Sequence, residues 1–98
     1  MYFVKKTDEF IEWLGNLRDL HAFAQITKRL TRVSQGNFGD YKSVGDKIFE
    51  LRVDCGPGYR LYFTKKNNEY IFLLIGGDKS TQKRDIQKAK KLAEEYEA

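Results

Sequence analysis

Arg52 and Arg60 stand on either side of the turn signal Cys55-Gly56-Pro57-Gly58, with Asp54 and Tyr62 beside them. One short stretch therefore collects two permanent cations, a carboxylate and a phenol. A guanidinium keeps its charge at any working pH and forks N–H groups onto phosphate oxygens, so such a pair suits holding or stabilising a phosphoryl group. It cannot act as a base. A further cation lies in Gly76-Gly77-Asp78-Lys79-Ser80, where an apolar run gives way to a helical pattern. Unpaired backbone N–H groups at a helix start attract anions, and Lys79 adds a charge at the same point. The same residues also read as a plain strand-to-helix turn capped by Asp78 or Ser80, and their spacing is not that of a Walker loop.

Positioning these groups is the task of a β-hairpin with strands over 47–54 and 60–66. Alternation puts Phe49, Leu51 and Val53 on one face and Glu50, Arg52 and Asp54 on the other, with Leu61 and Phe63 answered by Arg60, Tyr62 and Thr64. Matching the apolar sets predicts Val53 opposite Leu61, Arg52 opposite Tyr62 and Asp54 opposite Arg60. Arg60 then projects from a half-solvated face, and a surface Asp54–Arg60 pair is expected there. The glycines around Pro57 accept positive φ, as the connection needs.

Around the hairpin, Tyr2-Phe3-Val4 is a short β-prone run. Thr7 or Asp8 caps a helix bearing Phe10, Trp13, Leu14 and Leu17, and a second helix carries Phe23, Ile26, Leu30 and Val33 until Gly36. Residues 69–75 are apolar on both faces, which predicts an interior strand reached through an Asn67-Asn68 turn. A final helix over about 81–96 presents Ile86, Ala89, Ala93 and Tyr96. The order is βααβββα, an α+β fold with a small, mainly antiparallel sheet, two N-terminal helices and a C-terminal helix packed on it. Leu61, with Phe49, Leu51, Val53, Phe63 and one face of 72–75, is expected to lie under helices containing Leu14, Ile26, Leu30 and Ile86.

The chain has 98 residues, 41% hydrophobic and 14% aromatic, which suits one folded domain over 1–98. Eighteen Lys and Arg against 14 Asp and Glu give a net charge of +4, which suits an anionic partner. The single cysteine, Cys55, has no disulfide partner and reads as a small residue closing the hairpin in a reduced, cytoplasmic setting. No apolar run approaches the length of a membrane span, so no membrane partner is expected. His21 reads as a residue of the helix junction.

The runs Glu-Leu-Arg-Val-Asp-Cys-Gly-Pro-Gly-Tyr-Arg-Leu-Tyr-Phe and Gly-Gly-Asp-Lys-Ser-Thr-Gln-Lys-Arg-Asp-Ile-Gln-Lys-Ala, with Gly36-Asn37-Phe38-Gly39-Asp40 before them, resemble toxins of type II toxin–antitoxin modules. The resemblance is to the addiction module killer protein branch of the RelE/ParE superfamily, close to HigB-type toxins, and it runs through nearly the whole chain. It implies a metal-independent mRNA endoribonuclease acting on translating ribosomes, without a cofactor. Its partners would be a helix-turn-helix antitoxin encoded next to it, the ribosome and mRNA, and operator DNA only through the antitoxin complex. Relatives of the ParE kind poison DNA gyrase instead. A module that only binds antitoxin and operator is a further reading.

RNA cleavage of this kind requires removal of the 2′-hydroxyl proton, stabilisation of extra charge on phosphorus and protonation of the leaving 5′ oxygen. The resemblance places Arg60 on the scissile phosphate, with Arg52 and Lys79 as further catalytic cations. Tyr62, Asp54, Asp78, Lys83 and Arg84 are assigned to the substrate. Lys79, Asp78 and Asp54 compete as bases, and Tyr62 is expected to position the RNA. RelE proper carries a tyrosine, and HigB-type enzymes a histidine, in the C-terminal segment; positions 79–95 here contain neither.

Overall fold

A computed structural model describes residues 1–96. A strand β1 (Phe3–Lys6) leads into helices α1 (Asp8–Gly15) and α2 (Leu20–Ser34). Four strands follow, β2 (Tyr41–Gly45), β3 (Ile48–Val53), β4 (Tyr59–Lys66) and β5 (Tyr70–Asp78), and then a 3-10 turn at Lys79–Thr81 and helix α3 (Gln82–Tyr96). The sheet order is β1-β5-β4-β3-β2, antiparallel except where β1 lies parallel to β5. The α+β class, the mainly antiparallel sheet and the three helices are as the sequence implies. No helix among the described residues is long and apolar enough to cross a membrane.

Caps set both N-terminal helices. Thr7 Oγ1 accepts the Phe10 amide at 3.0 Å and donates to the Leu74 carbonyl at 2.7 Å, so one hydroxyl starts α1 and ties it to the sheet. Asp19 does the capping for α2 by accepting the Ala22 amide. Along α2 the buried stripe is Ala22, Ile26, Leu30 and Val33; Phe23, expected on it, is 39% exposed because it lies one position off the inward line.

β2 is a fifth strand beyond the βααβββα order. It pairs with β3 through a turn in which Asp46 and Lys47 both hold positive φ (52° and 64°), without the usual asparagine–glycine signal. Asn67 and Asn68 form the expected turn between β4 and β5, with φ of 58° and 53°.

The hairpin register is corrected by two residues. Leu51 faces Leu61, Arg52 faces Arg60 and Val53 faces Tyr59, so neither the Arg52–Tyr62 nor the Asp54–Arg60 pairing forms. The cause is local: residues 55–58 make a tight turn closed by the Gly58 amide on the Cys55 carbonyl, with Gly56 and Gly58 at positive φ. Because the slip is even, every side chain keeps its expected face.

Both faces are covered. Phe10 of α1 and Ile26, Leu30 and Val33 of α2 pack on Leu51, Val53, Tyr59, Leu61, Phe63, Ile71 and Leu73. On the opposite face Ala89 and Leu92 of α3 pack on Ile48, Tyr62, Leu74 and Ile75, with Ile86 beside them. Ile86 thus lies across the sheet from Leu14, Ile26 and Leu30. A bulge between Tyr62 and Phe63, whose partners are Ile75 and Leu73, lets consecutive Leu74 and Ile75 both join the α3 side. Gly76 and Gly77 belong to β5 and are buried, with helices pressed close on each side. A Cβ on Gly76 would strike the Trp13 ring, and one on Gly77 would strike Asp85 and Thr81. They serve helix packing, and neither leaves its backbone open to a ligand.

Candidate functional site

The ladder sets Arg52 directly across from Arg60, and Arg60 lies across from Gly77 on the other side. Facing like charges in a sheet repel by about 0.2–1 kcal/mol, so the pair needs local compensation. Glu50 supplies it. This carboxylate is fully buried, and its Oε2 accepts from the Tyr62 hydroxyl at 3.1 Å and from Gln82 Nε2 at 2.6 Å. Glu50 Oε1 lies 3.9 Å from Arg52 Nε, and Asp40 Oδ1 lies 3.7 Å from the same nitrogen. These are attractions without hydrogen-bond geometry. Glu50 Oε1, Arg52 Nε and Arg60 Nε are buried atoms with no hydrogen-bond partner among the described residues. Buried polar atoms left unpaired are uncommon in folded proteins, and they gather here at one spot.

Tyr62 is not on a solvent face. It is fully buried beneath α3, and burial, followed by the charge of Glu50 and its hydrogen bond, drives the phenol's pKa well upward. It remains a protonated donor to Glu50 and cannot stack on a base, which corrects its expected contact with RNA. The reason is α3: the helix closes over the face that strand alternation alone leaves polar.

Lys79 arrives from β5. Its backbone amide donates to the Gly58 carbonyl at 2.9 Å, which joins the 3-10 turn to the hairpin loop while the residue itself is exposed. The structure therefore gathers Arg52, Arg60 and Lys79 at the hairpin end of the sheet. Asp78 caps the 3-10 turn: its Oδ1 accepts from the Ser80 hydroxyl and the Ser80 amide, and these bonds hold its carboxyl below the ordinary range. Asp54 is exposed in the loop and unpaired with Arg60, and Lys83 and Arg84 are exposed in the first turn of α3. His21 is exposed in the first turn of α2. The Cys55 thiol has its pKa raised by burial and by Asp19 and Asp54, which disfavours the thiolate a nucleophile needs.

Several residues that shape the site escaped the sequence reading. Arg29 of α2 donates from all three guanidinium nitrogens, to the carbonyls of Phe38 (3.1 Å), Arg52 (2.7 Å) and Asp40 (2.9 Å). It locks the Gly36-Asn37-Phe38-Gly39-Asp40 segment onto β3 and brings Asp40 to Arg52. Asp85 is buried beside Gly77 and accepts from Thr81 at 2.5 Å. Glu50 did carry a signal, a carboxylate two positions before an arginine on one strand face. Gln82 and Asp85 carried none, because their partners are remote in sequence.

Residues 12–97 match the family described as phage-derived protein Gp49-like (DUF891). An uncharacterized protein of Haemophilus influenzae is 53% identical over 92 residues, 94% of this chain and 93% of that protein. A doubly substituted E. coli toxin RelE in the free state superposes with a TM-score of 0.74 at 18% identity, over 92% of this chain and 95% of its own. The intact E. coli RelBE toxin–antitoxin complex matches with a TM-score of 0.62 at 19% identity, over 80% of this chain and 96% of the chain matched. At such identities the likeness is one of fold.

Proposed function

Because the chain belongs to the Gp49-like family and folds as RelE does, we propose that it is the toxin of a type II toxin–antitoxin module. In this reading residues 1–98 form one toxin domain that acts in the cytoplasm as a ribosome-dependent mRNA endoribonuclease. The observation that carries the reading is the Arg52–Arg60 pair. Two cations are set face to face on adjacent strands, partly exposed, with no hydrogen bond to a carboxylate among the described residues, and a third cation stands at the same end of the sheet. A structural ion-pair network would have closed those bonds. An open cationic pair gains most when a phosphate arrives.

Arg60 and Arg52 supply the charge that a pentacoordinate phosphorus needs, acting through donors fixed on strands before the reaction begins. Lys79 adds the third positive charge. Of the candidate bases, Asp78 is the poorest, since Ser80 occupies its carboxylate and stabilises its charged form. Lys79 and Asp54 remain at this end as the groups to carry the 2′-hydroxyl proton. Glu50 holds Arg52 in place without touching substrate. In this reading the ribosome supplies the alignment of the single strand for attack.

The partner is a small helix-turn-helix antitoxin. The intact RelBE complex is a toxin–antitoxin assembly of the same fold, and covering this chain's cationic end or displacing α3 would disarm the arginines. Operator DNA is reached through that complex. The test is a translation extract in which cuts in ribosome-bound mRNA are mapped by primer extension. The parent protein should cut and the Arg60→Ala variant should not. Intact mRNA together with inhibited gyrase supercoiling would replace this reading with the gyrase one.

A further inference from the structure

At the far end of the sheet, on the α3 side, aromatic and basic side chains alternate over three strands. Phe3 of β1 packs on Tyr70 of β5 with ring centroids 5.7 Å apart, Tyr70 on Phe72 at 6.4 Å, and Phe72 on Tyr96 of α3 at 6.3 Å. Lys5 lies over the Tyr70 ring, 5.3 Å from its centroid, and Lys66 of β4 is the cross-strand partner of Tyr70. Phe3 is 64% exposed and Tyr96 40%. Two shallow clefts of about 220 and 190 Å³ meet here, and Lys66, Asn67 and Phe72 line both.

The core accounts for Phe72, which packs against the α3-side cluster, but not for the outer end of the ladder, where Phe3 is left largely in water on an edge strand. Exposed apolar surface on a sheet edge invites aggregation unless a partner uses it. The chemistry of the strip specifies that partner. Flat aromatic faces on a sheet stack nucleobases with little regard to sequence, and interleaved lysines neutralise the phosphates between them. We propose that Phe3, Lys5, Lys66, Tyr70 and Phe72 form a platform for single-stranded RNA, separate from the arginine pair. From Arg60 to Lys66 along β4 is about 20 Å at the rise of an extended strand. One RNA chain or two neighbouring segments of a folded RNA can therefore engage both ends. Tyr96 has carboxylate neighbours in Glu9, Asp8 and Glu95, so the polyanion should end short of it. The platform extends the reading above and does not depend on cleavage.

Fluorescence anisotropy of the full chain with a short labelled single-stranded RNA tests it. Replacing Phe3 and Tyr70 together by alanine should weaken binding about tenfold or more, the range for losing stacked bases. Tyr70→Trp, which keeps a larger aromatic face, should bind at least as well as the parent, and it controls for any instability of the alanine variant. Lys66→Ala should lower the slope of log affinity against log salt by about 0.7, as expected for one phosphate contact on a single strand. Unchanged affinity in the Phe3/Tyr70 variant would overturn the platform. So would duplex RNA binding as tightly as the single strand, or polyglutamate competing as well as RNA, since a carboxylate polymer has no bases to stack. A parent protein that binds RNA through this strip yet never cuts mRNA leaves the platform standing and removes only the nuclease reading.

Discussion

Leu61 and Arg60 are neighbours on β4, yet they face opposite sides of the sheet and do opposite work. The side under α1 and α2 is closed and apolar, with Leu61, Phe63 and Leu51 packed to near-zero exposure. The side under α3 is apolar along its middle and aromatic at its far end. At the hairpin end it holds a buried glutamate, a buried tyrosine and two arginines whose Nε atoms find no acceptor among the described residues. The first face is optimised for stability. The second keeps charge poorly satisfied at one place, which is costly for folding and useful for binding an anion.

The strongest way to break this contrast is to exchange the consequences of adjacent substitutions. Leu61→Ala should destabilise the fold by about 2–5 kcal/mol, a large part of the roughly 5–15 kcal/mol that holds a domain together. Urea denaturation should show a lowered midpoint. Arg60→Ala should leave that midpoint nearly unchanged and, on the proposed nuclease reading, lower the rate of mRNA cleavage about a hundredfold to a thousandfold, the usual effect of losing one transition-state donor, or about 2.7–4 kcal/mol. Equal denaturation midpoints for the two variants would remove the division of labour between the faces.

Glu50 and Tyr62 refine the same contrast, because they lie beside the arginine pair without being exposed. Tyr62→Phe removes one of the two donors to Glu50 and should cost about 1–3 kcal/mol of stability, with cleavage per folded molecule unchanged. A large loss of cleavage at constant stability would restore the tyrosine to the substrate. Glu50→Gln keeps an acceptor for Tyr62 but removes the nearest buried negative charge from Arg52. Its effect should fall more on cleavage rate, by about tenfold, than on ribosome affinity, because Arg52 keeps its charge and loses its orientation. Single-turnover cleavage beside a sedimentation binding assay separates the two.

Much of this architecture was legible in the chain. The helix stripes of Phe10, Ile26 and Leu30, the strand alternation about Leu51 and Leu61, and the Asn67-Asn68 turn each follow from short-range periodicity. β2 was not legible, since Tyr41-Lys42-Ser43 is exposed on both faces and its turn uses Asp46 and Lys47 in a conformation those residues seldom adopt. The exact register was hidden because two residues of slip preserve the face pattern. At the site, Arg52, Arg60 and Lys79 were readable as cations at two turn signals. The burial of Tyr62 was not, because it depends on α3 returning from more than twenty residues away to cover a face that alternation marks as polar.

The smallest expected effect lies at the seam between the two regions, where Asp78 ends β5 and starts the turn carrying Lys79. Its carboxylate accepts two hydrogen bonds from Ser80, and these favour the charged form, so its folded pKa lies below the ordinary value of 3.8. The sign of the linkage follows. The group's contribution is fully present above the unfolded pKa and is lost as pH falls through the depressed folded value. Asp78→Ala should therefore lower Tm at pH 7 by roughly 4–8 °C, corresponding to about 1 kcal/mol for a lost cap in a chain of this size. The gap between parent and variant should close as pH falls through the depressed folded value, where Asp78 becomes protonated in the parent as well. Thermal melts at neutral and acid pH measure both numbers. A gap that stays constant with pH would mean that the carboxylate's charge contributes nothing to holding the turn that presents Lys79.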